Sequence, residues 1–136
     1  MVTLPSARES LLVRVEFSND DAWHLAKTAA TATNEDGFRA YLHPVDDPSN
    51  QGVSWEELVQ AVPESSDRPA VMFVVDQEAL GAEYPILVVD LVDARQPFRC
   101  VAAELWGVDN NLNISNMDWE EFSQAAGPDG VFRGFR

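Results

Sequence analysis

At 136 residues, with 46% hydrophobic and 24% charged side chains, the chain has the composition of one ordinary globular domain, and disorder throughout is excluded. Its charge is less ordinary: 23 Asp and Glu against nine Lys and Arg leave a net −14, shared evenly between the two halves. Such a surface repels phosphate backbones and anionic membranes, so no nucleic acid and no membrane is expected as a partner, and basic proteins or cations are favoured.

The first predicted element is a strand at Leu11–Phe17, where branched and polar residues alternate. Ser18 or Asn19 caps a helix running to about Thr31, with Ala22, Leu25, Ala26 and Ala29 as its apolar stripe beside Trp23. The Asn34–Gly37 turn leads into a second strand, Phe38 to about His43, which Pro44 ends. After a loop over 44–53, Ser54 and Glu57 form a capping box. They open a short helix whose Trp55, Leu58, Val59 and Val62 share one face, and Pro63 stops it.

Ala70–Val75 and Ile86–Val92 are near-continuous apolar runs of the kind buried on both faces of a sheet. The link between them, Asp76–Tyr84, is shorter than the roughly a dozen residues of a parallel crossover, so the two are expected to be antiparallel. A further strand follows at Phe98–Val101, then a brief helical stretch at Ala102–Gly107 and a helix at Asp118–Ala126 with Asp118 and Glu121 as its capping pair. Asp129-Gly130 turns the chain into an extended tail, Val131–Phe135. The order is βαβα, then an antiparallel meander. It predicts a mixed α/β fold, residues 1–136 as a single domain, with one mixed sheet of about five strands and helices packed on it. Residues 1–10 are expected to be a flexible lead-in.

Cys100 is the sole cysteine, which excludes an internal disulfide. No basic segment followed by an apolar run opens the chain, and the longest apolar runs are far too short to span a bilayer. A cytoplasmic protein is expected. Cys100 with His24 or His43 would be the one thiol–imidazole pairing available, but a mid-strand cysteine is usually an inert buried thiol. No glycine-rich phosphate loop, zinc-ligand spacing or nucleophile elbow is present, so no catalytic residue, cofactor or metal is assigned.

The candidate binding residues lie in two segments. Asp46 and Asp47, between Pro44 and Pro48, place two like charges in a rigid loop. The run Asp109-Asn110-Asn111-Leu112-Asn113 either stitches an irregular loop through its amides or presents them to a partner. Asn110 and Asn111 suit a terminating turn, whereas Asn113, alternating with Leu112 and Ile114, is expected to face outward beside Asp109. Trp is enriched at binding hot spots, yet Trp23, Trp55, Trp106 and Trp119 each align with an apolar stripe, and core burial is expected for each.

Several segments carry a resemblance: Asp36-Gly37-Phe38, Pro44-Val45-Asp46-Asp47-Pro48, Leu87–Leu91, Asn110-Asn111-Leu112, Ile114–Asp118 and Gly130–Phe135. Over these, from about Leu12 to Phe135, the chain resembles a family of small acidic bacterial proteins, actinobacterial in type, classed as a domain of unknown function. The resemblance implies a free-standing domain and transfers no activity, cofactor or site residue. The functional expectation is a non-enzymatic protein-binding domain whose acidic surface engages a basic protein, built like the small acidic immunity or inhibitor proteins by analogy alone. The alternative is a small enzyme or divalent-cation-binding domain using Asp46, Asp47, Asp76 or Asp90.

Overall fold

Strict alternation along the strands puts one set of side chains on each face of a central sheet, and helices cover both faces. The computed structural model describes residues 2–135. Among them the elements are β1 (Ser10–Arg14), α1 (Asp20–Thr31), β2 (Leu42–Val45), α2 (Trp55–Ala61), β3 (Val71–Val75), β4 (Pro85–Asp90), β5 (Phe98–Val101), α3 (Leu105–Asn113), α4 (Trp119–Ser123) and β6 (Val131–Phe132). The strands form one sheet in the order β2-β1-β3-β4-β5-β6. Pairing is parallel for β2–β1, β1–β3 and β5–β6, and antiparallel for β3–β4 and β4–β5.

The mixed sheet, the antiparallel β3–β4 pair and the bounds of β5 are as expected from sequence. The sixth strand is the correction. The tail expected to be merely extended pairs with β5, with Arg99 opposite Val131 and Cys100 opposite Phe132.

One core packs Leu12, Phe73 and Val88 against Trp23, Ala26 and Ala30 of α1 and Leu105, Val108 and Leu112 of α3. The other packs Leu11, Val13, Met72, Val74 and Val89 against Leu58 and Val62. Burying a side chain of this size contributes about 1.5–3 kcal/mol. Leu58, the one residue of α2 itself that is fully buried, therefore anchors that helix to its face.

Local signals set the helix starts. The Asn19 side chain accepts from the Ala22 N–H at 3.0 Å, and Ser54 Oγ from the Glu57 N–H at 3.3 Å. In the α4 capping box the Glu121 carboxylate accepts from the Asp118 N–H at 3.0 Å. Three expectations shift. The buried face of α1 is Trp23, Ala26 and Ala30, while Leu25 is 59% exposed. The second strand starts at Leu42, not Phe38, and it contains Pro44; as the edge of the sheet it tolerates a residue with no N–H, which also blunts that edge. The lead-in is anchored, with Leu4 buried in the α2-side core and Val2 and Ala7 packed around it. Among the described residues no helix is long and apolar enough to cross a membrane.

Candidate functional site

The asparagine-rich run is helical, because burial overrides weak propensity. Leu105, Val108 and Leu112, at i, i+3 and i+7, are all buried beneath α3. That phase turns Asp109 inward as well, leaving it 2% exposed. Its Oδ2 accepts from the Tyr41 N–H at 2.9 Å and its Oδ1 from Asn113 Nδ2 at 2.8 Å, with the Ser10 hydroxyl alongside. Burial pushes the Asp109 carboxyl above the usual carboxylate range, and Glu9 adds to this; the three donors pull it back without prevailing.

Asn113 completes the network. Its Oδ1 accepts from the Ala70 N–H at 2.9 Å, and its Nδ2 also donates to Ser10 Oγ at 2.9 Å. Asn113 is exposed and lies beside Asp109 as expected, but its amide is engaged within the chain, tying the end of α3 to Ser10 of β1 and to Ala70 just before β3. Asn110 Nδ2 donates to the Arg39 carbonyl at 3.4 Å. Asn111 bonds nearby backbone as expected, but from inside α3 and not from a turn that ends a shorter helix. Its Nδ2 donates to the Gly107 carbonyl at 2.8 Å, its Oδ1 accepts from Asn116 Nδ2 at 2.8 Å, and its own carbonyl accepts from the Asn116 N–H at 3.0 Å.

Two of these bonds, from the Tyr41 N–H to Asp109 and from Asn110 to the Arg39 carbonyl, hold residues 38–41, the extended segment before β2. Phe38 is 51% exposed and Tyr41 53% exposed. Phe38 stacks on Trp106 of α3, ring centroids 4.9 Å apart and planes 11° apart, and the Arg39 guanidinium sits 5.0 Å from the centre of the Tyr41 ring. The segment is held at its other end by Asn34, whose Oδ1 accepts from the N–H groups of Asp36 and Phe38, both at 2.9 Å. Gly37 turns through φ 86° here, a conformation that glycine adopts without strain. The result is a fixed strip of Phe38, Arg39, Tyr41 and Trp106, with the exposed carboxylates Glu35 and Asp36 on the turn leading into it.

Residues 9–135 match a family described as Domain of unknown function (DUF6924), so the match takes in every strand and helix above. The chain belongs to that family. No curated protein matches it.

In this DUF6924 domain the other predicted pair, Asp46 and Asp47, lies at the opposite end of β1 from Asn113. Asp46 Oδ1 accepts from Arg14 Nη1 at 3.2 Å, and the buried Arg14 also pairs with Asp20 at 2.6 Å. Asp47 caps the short 3₁₀ turn Pro48–Asn50, accepting from the Ser49 N–H at 3.0 Å and Ser49 Oγ at 2.9 Å. Those two bonds hold its carboxyl below the usual range. The remaining carboxylates of the cation alternative are also engaged by arginine: Asp76 by Arg99 at 2.9 and 2.7 Å, and Asp90 by Arg95 at 3.2 Å. Among the described residues no three His, Cys, Asp or Glu side chains are grouped so as to hold a metal ion.

Cys100 is fully buried, and burial pushes its thiol well above the ordinary range, so it stays protonated and unreactive. Of the tryptophans, Trp23 and Trp119 lie in the core as expected, while Trp55 and Trp106 are only partly buried. Sequence reasoning missed the strip because Phe38–Tyr41 reads as the start of a strand. The available signal was the unassigned stripe Leu105, Val108, Leu112, which makes Trp106 a flank rather than a centre of that helix.

Proposed function

We propose that this DUF6924 domain is a non-enzymatic binding protein of the bacterial cytoplasm whose acidic, aromatic-lined face engages a basic protein partner. The carrying observation is the strip itself: two exposed aromatic side chains and an arginine stand on a segment whose backbone Asp109 and Asn110 of α3 hold, with the half-buried Trp106 of α3 stacked on Phe38. Phe38, Tyr41 and Trp106 supply large, rigid contact area, and Trp, Tyr and Arg are the side chains that dominate binding hot spots. Lysine and arginine side chains of a partner suit it twice over, stacking on the aromatic faces and pairing with Glu35 and Asp36.

The distribution of charge supports the sign of the partner. Arg14, Arg68, Arg95, Arg99 and Arg133 are each paired with acids of the same chain. The excess carboxylates therefore set the outward field, which speeds encounter with cationic surfaces and weakens as salt rises. Capture from the native host's lysate on immobilised wild-type protein, beside a Phe38→Ala/Tyr41→Ala/Trp106→Ala variant, tests the reading. A basic protein retained at low salt by the wild type, released by moderate salt and absent from the variant is the expected result. Retention of no basic protein at low salt, or equal retention by both, overturns it.

A further inference from the structure

The strip does not end at Phe38. Beside it, between the end of α1 and the start of β5's following turn, lies an open groove of about 410 Å³, within the size range of ligand-binding clefts. Its lining includes Ala29 and Ala32 at and after the end of α1, Ala102 and Ala103 after β5, Tyr84 before β4, and Asn34. Four alanines leave the space that longer side chains would fill. Asn34 is shared: it lines the groove, and the same Oδ1 accepts from the Phe38 N–H at 2.9 Å. Ala103 lies one turn before Trp106, the ring on which Phe38 stacks. Groove and strip are thus one continuous surface.

The groove is stiff where Glu83 and Tyr84 line it. Glu83 and Tyr84 hold φ of 68° and 51°, left-handed values that side-chain-bearing residues rarely adopt and that persist only where the surroundings impose them. The Glu83 carbonyl accepts from the Ala102 N–H at 3.2 Å, fixing this side of the groove to Ala102. The Glu83 carboxylate stands at the rim, 3.2 Å from Arg133 Nε, and Arg133 is also held by Asp129 at 3.0 Å. A lining of small apolar side chains that includes Glu83, with the exposed Glu35 and Asp36 following Asn34 in the chain, rejects acidic occupants. It accepts an apolar side chain flanked by cations.

Resting on the reading of the strip, we infer that the groove is the anchor pocket of the same interface: it takes one large apolar side chain from a basic segment of the partner, whose lysines or arginines lie over Phe38 and Trp106. Selection from a displayed library of random short peptides tests this with a defined probe. Three baits are used: the wild type, Ala103→Trp, and Trp106→Ala. Ala103 is exposed, so the tryptophan fills the groove without entering the core, and Ala32→Trp serves the same purpose should the first variant melt early.

Wild-type selection is expected to enrich basic peptides with a Leu, Phe, Met or Trp at a fixed distance from the Lys or Arg. Those peptides should bind Ala103→Trp at least about tenfold more weakly, a loss typical of a blocked anchor pocket. Peptides selected on Ala103→Trp itself should stay basic and lose the apolar preference, and Trp106→Ala should enrich no basic peptides. Basic peptides without an apolar anchor, or wild-type-selected peptides that bind both groove-filled variants within about twofold of wild type, overturn the anchor pocket and leave the strip standing. No basic enrichment on the wild type overturns both.

Discussion

Asp90 and Asp109 are equally hidden, each 2% exposed, yet they are held by opposite means. Asp90 closes its own turn: it accepts from the N–H groups of Val92 at 2.8 Å, Asp93 at 3.3 Å and Arg95 at 3.2 Å, and pairs with the Arg95 guanidinium. Asp109 has only neutral donors among the described residues, and one of them, the Tyr41 N–H, lies in a segment far away in the chain. A carboxylate that serves a local turn is answered by a local cation. One that fixes a distant exposed segment carries a desolvation cost without that compensation, and it does so where the surface is proposed to bind.

The comparison predicts where each truncation is felt. Asp109→Ala and Asp90→Ala should each cost about 3 kcal/mol, since each strips buried or half-buried donors of their acceptor. Their consequences should diverge. Hydrogen exchange should quicken at Tyr41 and its neighbours in Asp109→Ala, with loss of partner binding, and only at Val92–Arg95 in Asp90→Ala. Equal exchange at Tyr41 in the two variants would break the comparison. A smaller effect is expected from Asn113→Ala, about 1–2 kcal/mol, because the Ala70 N–H and Ser10 lose a partner at a half-exposed site. Asn110→Ala should cost less than about 0.5 kcal/mol, since its one bond is long and peripheral. Denaturant melts rank the series.

Much of the architecture was legible because its causes are local. Ser54 with Glu57, and Asp118 with Glu121, announce helix starts within three residues, and the short link Asp76–Tyr84 forces β3 and β4 to run antiparallel. What was not legible depends on distant partners. Nothing in Val131-Phe132 says that β5 is waiting beside it. Asparagine-rich sequence looks like a loop until Leu105, Val108 and Leu112 are read as a buried stripe. Of the candidate residues, Asp109 and Asn110 hold the exposed strip, Asn111 bonds within its own helix, Asn113 ties α3 to Ser10 and Ala70, and Asp46 and Asp47 lie elsewhere. The aromatic residues that the supports hold were hidden in a segment that reads as strand.

The carboxyl shifts give a pH test of modest size. The folded-state pKa of Asp109 lies above its unfolded value of about 3.9, so the native state binds the proton more tightly. Its contribution to stability therefore improves as pH falls through the raised pKa toward 3.9. Asp76 behaves in the opposite sense. Burial alone would raise its carboxyl, but Arg99 and the Ala79 N–H prevail and lower it. Its contribution is present above the unfolded value and is lost as pH falls through the depressed one. Between neutral pH and pH ~3.5, Asp109→Asn should lose stability relative to wild type on acidification, and Asp76→Asn should gain relative to wild type. Urea melts across that range read both slopes; parallel curves for the two variants would contradict the assignment.

The central claim, that Phe38, Tyr41 and Trp106 form a binding surface and not merely an exposed one, is tested most directly by comparing two exposed side chains, of which the more accessible lies off the strip. Tyr41 is 53% exposed and Val92, away from the strip, is 68% exposed. The affinity of Tyr41→Ala and Val92→Ala for the basic partner retained by the wild type, measured at one salt concentration, should separate by about tenfold or more while both melt like wild type. Equal affinities in the two variants would contradict it.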